Sequence, residues 1–175
     1  MIDIEEIRKN PSTQDWGYIS QYKKLSEEFI FEFQNEVDWC VISIYQKLSE
    51  EFIRKFQDKV YWFGICSYQK LSEDFIKEFQ HKIVWDRVCR DQKLSEEFIR
   101  KFQDKVVWHY ISWMQELTEN FIIEFQEKID WSTICWKQRL SKEFITKFYD
   151  KIDFDKLCHN KNITDDVKEF CRMFI

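Results

Sequence analysis

The chain has 175 residues and a formal net charge of −5; 44% of its side chains are hydrophobic and 18% aromatic, but it contains only 2 Gly and 1 Pro. So little turn punctuation excludes a protein of strands and hairpins, and such scarce glycine cannot build a phosphate-binding loop. No apolar run approaches the roughly 20 residues that a membrane span needs.

From the amino terminus, Met1-Ile2-Asp3-Ile4-Glu5-Glu6 carries neither the basic nor the apolar region of a secretion signal, so the expected setting is intracellular. Trp16, Trp39, Trp62, Trp85, Trp108 and Trp131 then follow one another at a spacing of 23 residues, and Phe154 continues the series. Leu25, Leu48, Leu71, Leu94, Leu117, Leu140 and Ile163 keep the same register, nine residues after each aromatic anchor. Such a register marks one supersecondary unit copied and stacked. The units are 2–24, 25–47, 48–70, 71–93, 94–116, 117–139 and 140–162, with a half unit 163–175, and together they are read as one repeat domain, 1–175. Lys47 to Val60 is identical to Lys93 to Val106 two units on, which points to duplication by pairs.

Within one unit, Leu48 to Val60 is predicted as a helix capped by Ser49, with Glu50 and Glu51 at its positive end. Phe52, Ile53, Phe56 and Val60 fall on its core face. A shorter helix is expected from Trp62 to Gln69 with Trp62, Ile65 and Cys66 inward, and the six ladder tryptophans are read as buried pins between layers. Each unit is then an αα-hairpin, and the fold class is all-α, an α-solenoid of stacked two-helix repeats. At the ends, Asn10, Gln14, Lys168 and Cys171 replace core residues, as capping units require.

The cysteines Cys66, Cys89, Cys135 and Cys158 share a column with Ser20, Ser43 and Ser112, so small size is their common property. Column neighbours one helix layer apart, about 10 Å, lie beyond disulfide reach. There is no C-x-x-C, and His81, His109 and His159 occupy different columns, so no metal site is expected. Carboxylates such as Glu27, Glu50, Glu73 and Glu96 are explained by helix starts. No catalytic residue and no cofactor are predicted, and the protein is read as a non-enzyme.

Repetition turns columns into lines. Lys59, Lys82, Lys105, Lys128 and Lys151 form one basic line, and Lys24, Lys47, Lys70, Lys93 and Arg139 another. The first is the candidate track for single-stranded nucleic acid, as in helical repeats that read one base per unit. Glu32, Lys55, Glu78, Lys101, Glu124 and Lys147 alternate in sign, so adjacent units are expected to pair along that column. The short helix varies most at its outward positions, where Tyr45, Phe63, Tyr68, Tyr110, Trp113 and Trp136 are the candidate partner-binding residues.

The segments K-L-S-E-E-F-I-R-K-F-Q-D-K-V-V-W (Lys93 to Trp108) and D-W-G-Y-I-S-Q-Y-K-K-L-S (Asp15 to Ser26) resemble short helical repeats found in many paralogous copies in giant DNA viruses of amoebae. The resemblance spans nearly the whole chain and implies a viral, host-cytoplasmic setting, but no activity or ligand. The functional expectation is a non-catalytic protein–protein interaction scaffold, its partner a host or viral protein. Single-stranded nucleic-acid binding and homo-oligomeric structural assembly are the alternatives, and no membrane role is expected.

Overall fold

The computed structural model describes residues 4–174; Met1, Ile2, Asp3 and Ile175, which belong to the leader reading and to the two terminal units, lie outside the described residues. Among the described residues there are fifteen α-helices, three short 3₁₀ turns and no strand. The chain falls into two compact units, one ending at Val84 and the other beginning at Trp85. Unit 1 holds α1 (Ile4–Lys9), α2 (Trp16–Tyr22), α3 (Glu27–Glu32), α4 (Trp39–Tyr45), α5 (Glu50–Lys55), α6 (Trp62–Tyr68) and α7 (Glu73–Glu78). Unit 2 holds α8 (Trp85–Asp91), α9 (Glu96–Lys101), α10 (Trp108–Met114), α11 (Glu119–Glu124), α12 (Trp131–Lys137), α13 (Lys142–Lys147), α14 (Phe154–Cys158) and α15 (Asp165–Cys171). Helical repeats of the expected period therefore build both, and the tryptophan-led helices pack on one another in sequence: α2 on α4 and α4 on α6, then α8 on α10 and α10 on α12.

The first helix of each repeat starts where its serine dictates. Ser26, Ser49, Ser72, Ser95, Thr118 and Ser141 each accept a hydrogen bond from the backbone N–H three residues on, closing one orphan donor of the first turn. At Thr164 the hydroxyl instead donates to the Asp166 carboxylate. The helix also ends earlier than predicted: α5 stops at Lys55, and residues 56–60 form a turn in which the Phe56 carbonyl accepts from both Lys59 and Val60 N–H. This turn turns the Gln57 carbonyl out of the helical ladder, where it accepts the Trp62 Nε1–H at 3.0 Å. The same indole-to-carbonyl bond, to the residue five positions back, forms at Trp16, Trp39, Trp108 and Trp131. An indole N–H removed from water needs an acceptor, and the turn supplies it.

That bond also corrects the expected burial of the ladder. All six tryptophans are half-buried, not buried pins. Each lays one face on a phenylalanine pair of the following repeat, as Trp39 does on Phe52 and Phe56 at 6.3 and 4.9 Å between centroids. From Trp39 onward a lysine of that repeat stands above the ring: Lys59 lies 5.8 Å from Trp39, Lys82 5.9 Å from Trp62, and Lys151 5.3 Å from Trp131. The core proper is the Phe and Ile of the first helix (Phe75, Ile76 and their equivalents) with one Ile or Val from the second, such as Ile65 or Val88.

A buried glutamine joins successive repeats. Gln69 Nε2 donates to the carbonyls of Ser43 and Gln46 at 3.0 and 2.7 Å, while its Oε1 accepts from Leu48 N–H at 3.0 Å. Gln46 makes the same three bonds one repeat earlier. In unit 2, Gln115 and Gln138 do likewise, and Asn160 reproduces the two donor bonds. The glutamine amide is thus satisfied by main chain alone, its donors in the preceding repeat and its oxygen at the first residue of its own, which is the condition for burying it without loss.

Two further columns reach across the same boundary. Ser43 Oγ accepts Tyr61 N–H at 2.9 Å, Cys66 Sγ accepts Val84 N–H at 3.4 Å, and Cys89 Sγ accepts Val107 N–H at 3.3 Å. Serine and cysteine therefore share an acceptor role as well as small size. Glu50 accepts Ser72 N–H at 2.6 Å and Glu119 accepts Ser141 N–H at 2.6 Å, so these carboxylates also satisfy the cap residue of the next repeat.

Candidate interaction surface

The second helices carry the outward positions. In unit 1, Tyr45 and Tyr68 are the last residues of α4 and α6 and are 55% and 62% exposed. Tyr22, the last residue of α2, is 64% exposed and completes the same column. Tyr22 stands one 23-residue period before Tyr45 and so belongs with the candidates Tyr45 and Tyr68, among which it was not counted. Tyr18, whose ring lies 4.9 Å from that of Tyr22, was missed in the same way.

Phe63 departs from expectation: it is half-buried, its ring stacked 5.7 Å from Tyr61, and it is Tyr61 that is exposed instead. Tyr110 in unit 2 is likewise half-buried, with its ring edge-on to His109. Both sit in the first turn of a second helix, where a large side chain folds back along its own repeat. Trp113 and Trp136 do meet the expectation of exposure, each at 40%, and share one column on α10 and α12. Lys137 places its Nζ 4.5 Å from the centre of the Trp113 ring. The structure thus brings Tyr22, Tyr45 and Tyr68 together on unit 1, and Trp113 with Trp136 on unit 2.

The lysine track is engaged internally. Lys59 Nζ donates to Gln34 and Asn35, Lys82 Nζ to Gln57 and, at 2.6 Å, to Asp58, and Lys151 Nζ to Gln126 and Glu127. Lys128 bonds Gln103 and lies 3.7 Å from Asp104, and Lys105 stands 5.8 Å from the Trp85 ring centre. Each ammonium reaches back one repeat onto an indole face, and Lys59, Lys82, Lys128 and Lys151 reach a polar pair as well. The alternating column also pairs differently from expectation. Arg8, Arg54 and Arg100 take Glu32, Glu78 and Glu124, while Lys55 sits 3.9 Å from the Phe31 ring centre. The offset of 24 residues places the opposite charge one step to the side of the column, which a straight column reading cannot see.

Among the described residues no group of three His, Cys, Asp or Glu is placed to hold a metal ion, and no helix is long and apolar enough to cross a membrane. All six cysteines are thiols. Burial pushes the Cys89 thiol up to about 11, and Cys171 reaches about 11 through burial and its neighbour Cys158. Neither is a thiolate nucleophile at neutral pH. Burial raises the Asp130 carboxyl, but hydrogen bonds from Thr133 and His109 outweigh it and hold the group below its usual range. One open recess of ≈ 420 Å³ lies at the ends of second helices and is bordered by Glu116, Lys137, Arg139 and Asn162. Comparison with family models, with curated proteins and with solved structures gives no match to this chain.

Proposed function

We propose that this chain is a non-catalytic scaffold that binds protein partners through the outward ends of its second helices. The observation that carries this reading is the contrast of columns. Positions facing a neighbouring repeat keep Gln from Gln46 to Gln138 and the Phe–Ile pair from Phe29–Ile30 to Phe144–Ile145, whereas the outward column changes from Tyr22, Tyr45 and Tyr68 to Asp91, Met114 and Lys137. Exposed Tyr and Trp are the side chains that most often anchor protein interfaces. Binding is then by shape and surface complementarity, and the viral resemblance makes a host or viral cytoplasmic protein the expected partner.

The lysine track carries nucleic-acid binding less well, because its ammonium groups already have indole, amide and carboxylate partners that phosphate would have to displace. The test is partner capture with the wild-type chain, a Tyr22→Ser, Tyr45→Ser, Tyr68→Ser variant and a Trp113→Ala, Trp136→Ala variant. The scaffold reading expects specific partners to disappear from at least one variant. Unchanged partner sets with both would sink it, and light scattering of the free chain at several concentrations separates self-association.

A further inference from the structure

Tyr22, Tyr45 and Tyr68 are each followed two residues later by an exposed lysine, Lys24, Lys47 and Lys70. Among the described residues none of these three lysines is paired with a carboxylate, unlike the Lys82 and Lys151 of the internal track. The edge of unit 1 therefore repeats one motif three times: a phenol more than half exposed, then an unneutralised ammonium. In unit 2 the equivalent positions of successive repeats border one recess of ≈ 400 Å³, with Asp91, Lys93, Met114 and Glu116 on its rim. There the charges are mixed. In unit 1 the same positions hold only tyrosine and lysine.

We infer that the Tyr–x–Lys edge of unit 1 binds an extended acidic peptide segment in polyproline II conformation, one helical turn of peptide to each repeat. This rests on the scaffold reading and names its ligand. Charge complementarity sets the sign, since three free ammonium groups in a row attract a row of carboxylates. Spacing sets the conformation. Tyr22, Tyr45 and Tyr68 end helices that pack consecutively, and packed helices lie about 8–10 Å apart. A polyproline II peptide advances about 9 Å in each turn of three residues, so an acidic side chain at every third position meets a lysine at every repeat. Exposed aromatic rings are also the surface on which proline-rich segments dock.

The experiment uses the full chain and a labelled peptide of about six Glu-Pro-Pro triplets, read by fluorescence anisotropy, with the Lys-Pro-Pro counterpart and a single-stranded oligouridylate as competitors. The acidic peptide is expected to bind and to weaken as salt rises. Affinity should fall about tenfold or more in Tyr45→Ser, Tyr68→Ser and, independently, in Lys47→Glu, Lys70→Glu, while Trp113→Ala, Trp136→Ala binds as the wild type does. All of these side chains are exposed, and circular dichroism confirms that each variant keeps its helices. The proposal is overturned if the acidic peptide does not bind, if both unit 1 variants bind it unchanged, or if the oligouridylate displaces it while Lys-Pro-Pro does not. Failure here with partners still lost in the capture experiment leaves the scaffold standing and removes only its ligand.

Discussion

Units 1 and 2 are built from the same interior and wear different exteriors. Gln46 and Gln69 in the first and Gln115 and Gln138 in the second make the same set of main-chain bonds. At the ends of the second helices, unit 1 shows three tyrosines and three lysines, whereas unit 2 shows a mixture with Trp113 and Trp136 one position earlier. The difference teaches which positions the stack dictates. A residue facing another repeat must fit a copy of itself, and only the outward positions are released from that demand.

The strongest test of the shared interior is the glutamine. Gln69→Ala in unit 1 and Gln115→Ala in unit 2 each orphan two buried carbonyls and one N–H, and each should cost about 3–5 kcal/mol. Urea midpoints give the numbers; a loss in one unit much smaller than in the other would show that the two interiors are not equivalent. Next come the unequal details. A Cβ on Gly64 would stand 3.0 Å from Ile44 Cγ1 and 3.2 Å from Ser43 Cβ, whereas on Gly17 it would meet only Asp15 Oδ1 at 3.5 Å. Gly64→Ala should therefore lose about 1 kcal/mol, crowding outweighing helix propensity, and Gly17→Ala should gain up to about 1 kcal/mol. Thermal melts that move in the same direction for both would refute the distinction.

Caps differ as well. Asp38 and Asp130 cap α4 and α12 with their side chains, but Tyr61 and Val107 leave α6 and α10 without a side-chain cap. Tyr61→Asp and Val107→Asp should each add about 1 kcal/mol, measured as a rise in urea midpoint, with no gain counting against the cap geometry. The smallest effect is that of acid on unit 2. Asp130 is held below its ordinary value by the bonds described above, and Asp153 by the Lys156 backbone N–H. A lowered carboxyl stabilises the fold above its unfolded value, near pH 4, and that contribution is lost as pH falls through the folded value. Amide exchange at Thr133 should therefore loosen in acid relative to neutral pH, and Asp130→Asn, which caps without titrating, should flatten that dependence.

Much of this was readable from the sequence. The 23-residue spacing of tryptophan gave the repeat, and the serine before two acids placed the start of each first helix, because a cap acts within its own turn. What lay hidden acts across repeats. The glutamine recurs in the sequence as plainly as the tryptophan, but its partners lie 21, 23 and 26 residues away, and periodicity alone does not say which backbone groups a side chain reaches. For the same reason Lys59 reads in the sequence as one point of an open basic line, whereas its ammonium is held by Gln34 and Asn35. On the outer surface, Trp113 and Trp136 stood out by leaving the register, whereas Phe63 was misjudged because its neighbour Tyr61 covers it.

The arginine–glutamate offset carries a consequence for how such a chain can lengthen. Arg8, Arg54 and Arg100 face Glu32, Glu78 and Glu124, so this bond returns only with every second repeat. Doubling the single repeat 48–70 would leave every glutamine supplied with main chain yet set Arg54 opposite the Lys55 of its copy. Growth by two units restores every bond of both kinds. Growth by the pair keeps arginine opposite glutamate wherever the copy begins, and the pair is the same span over which Lys47 to Val60 and Lys93 to Val106 are identical.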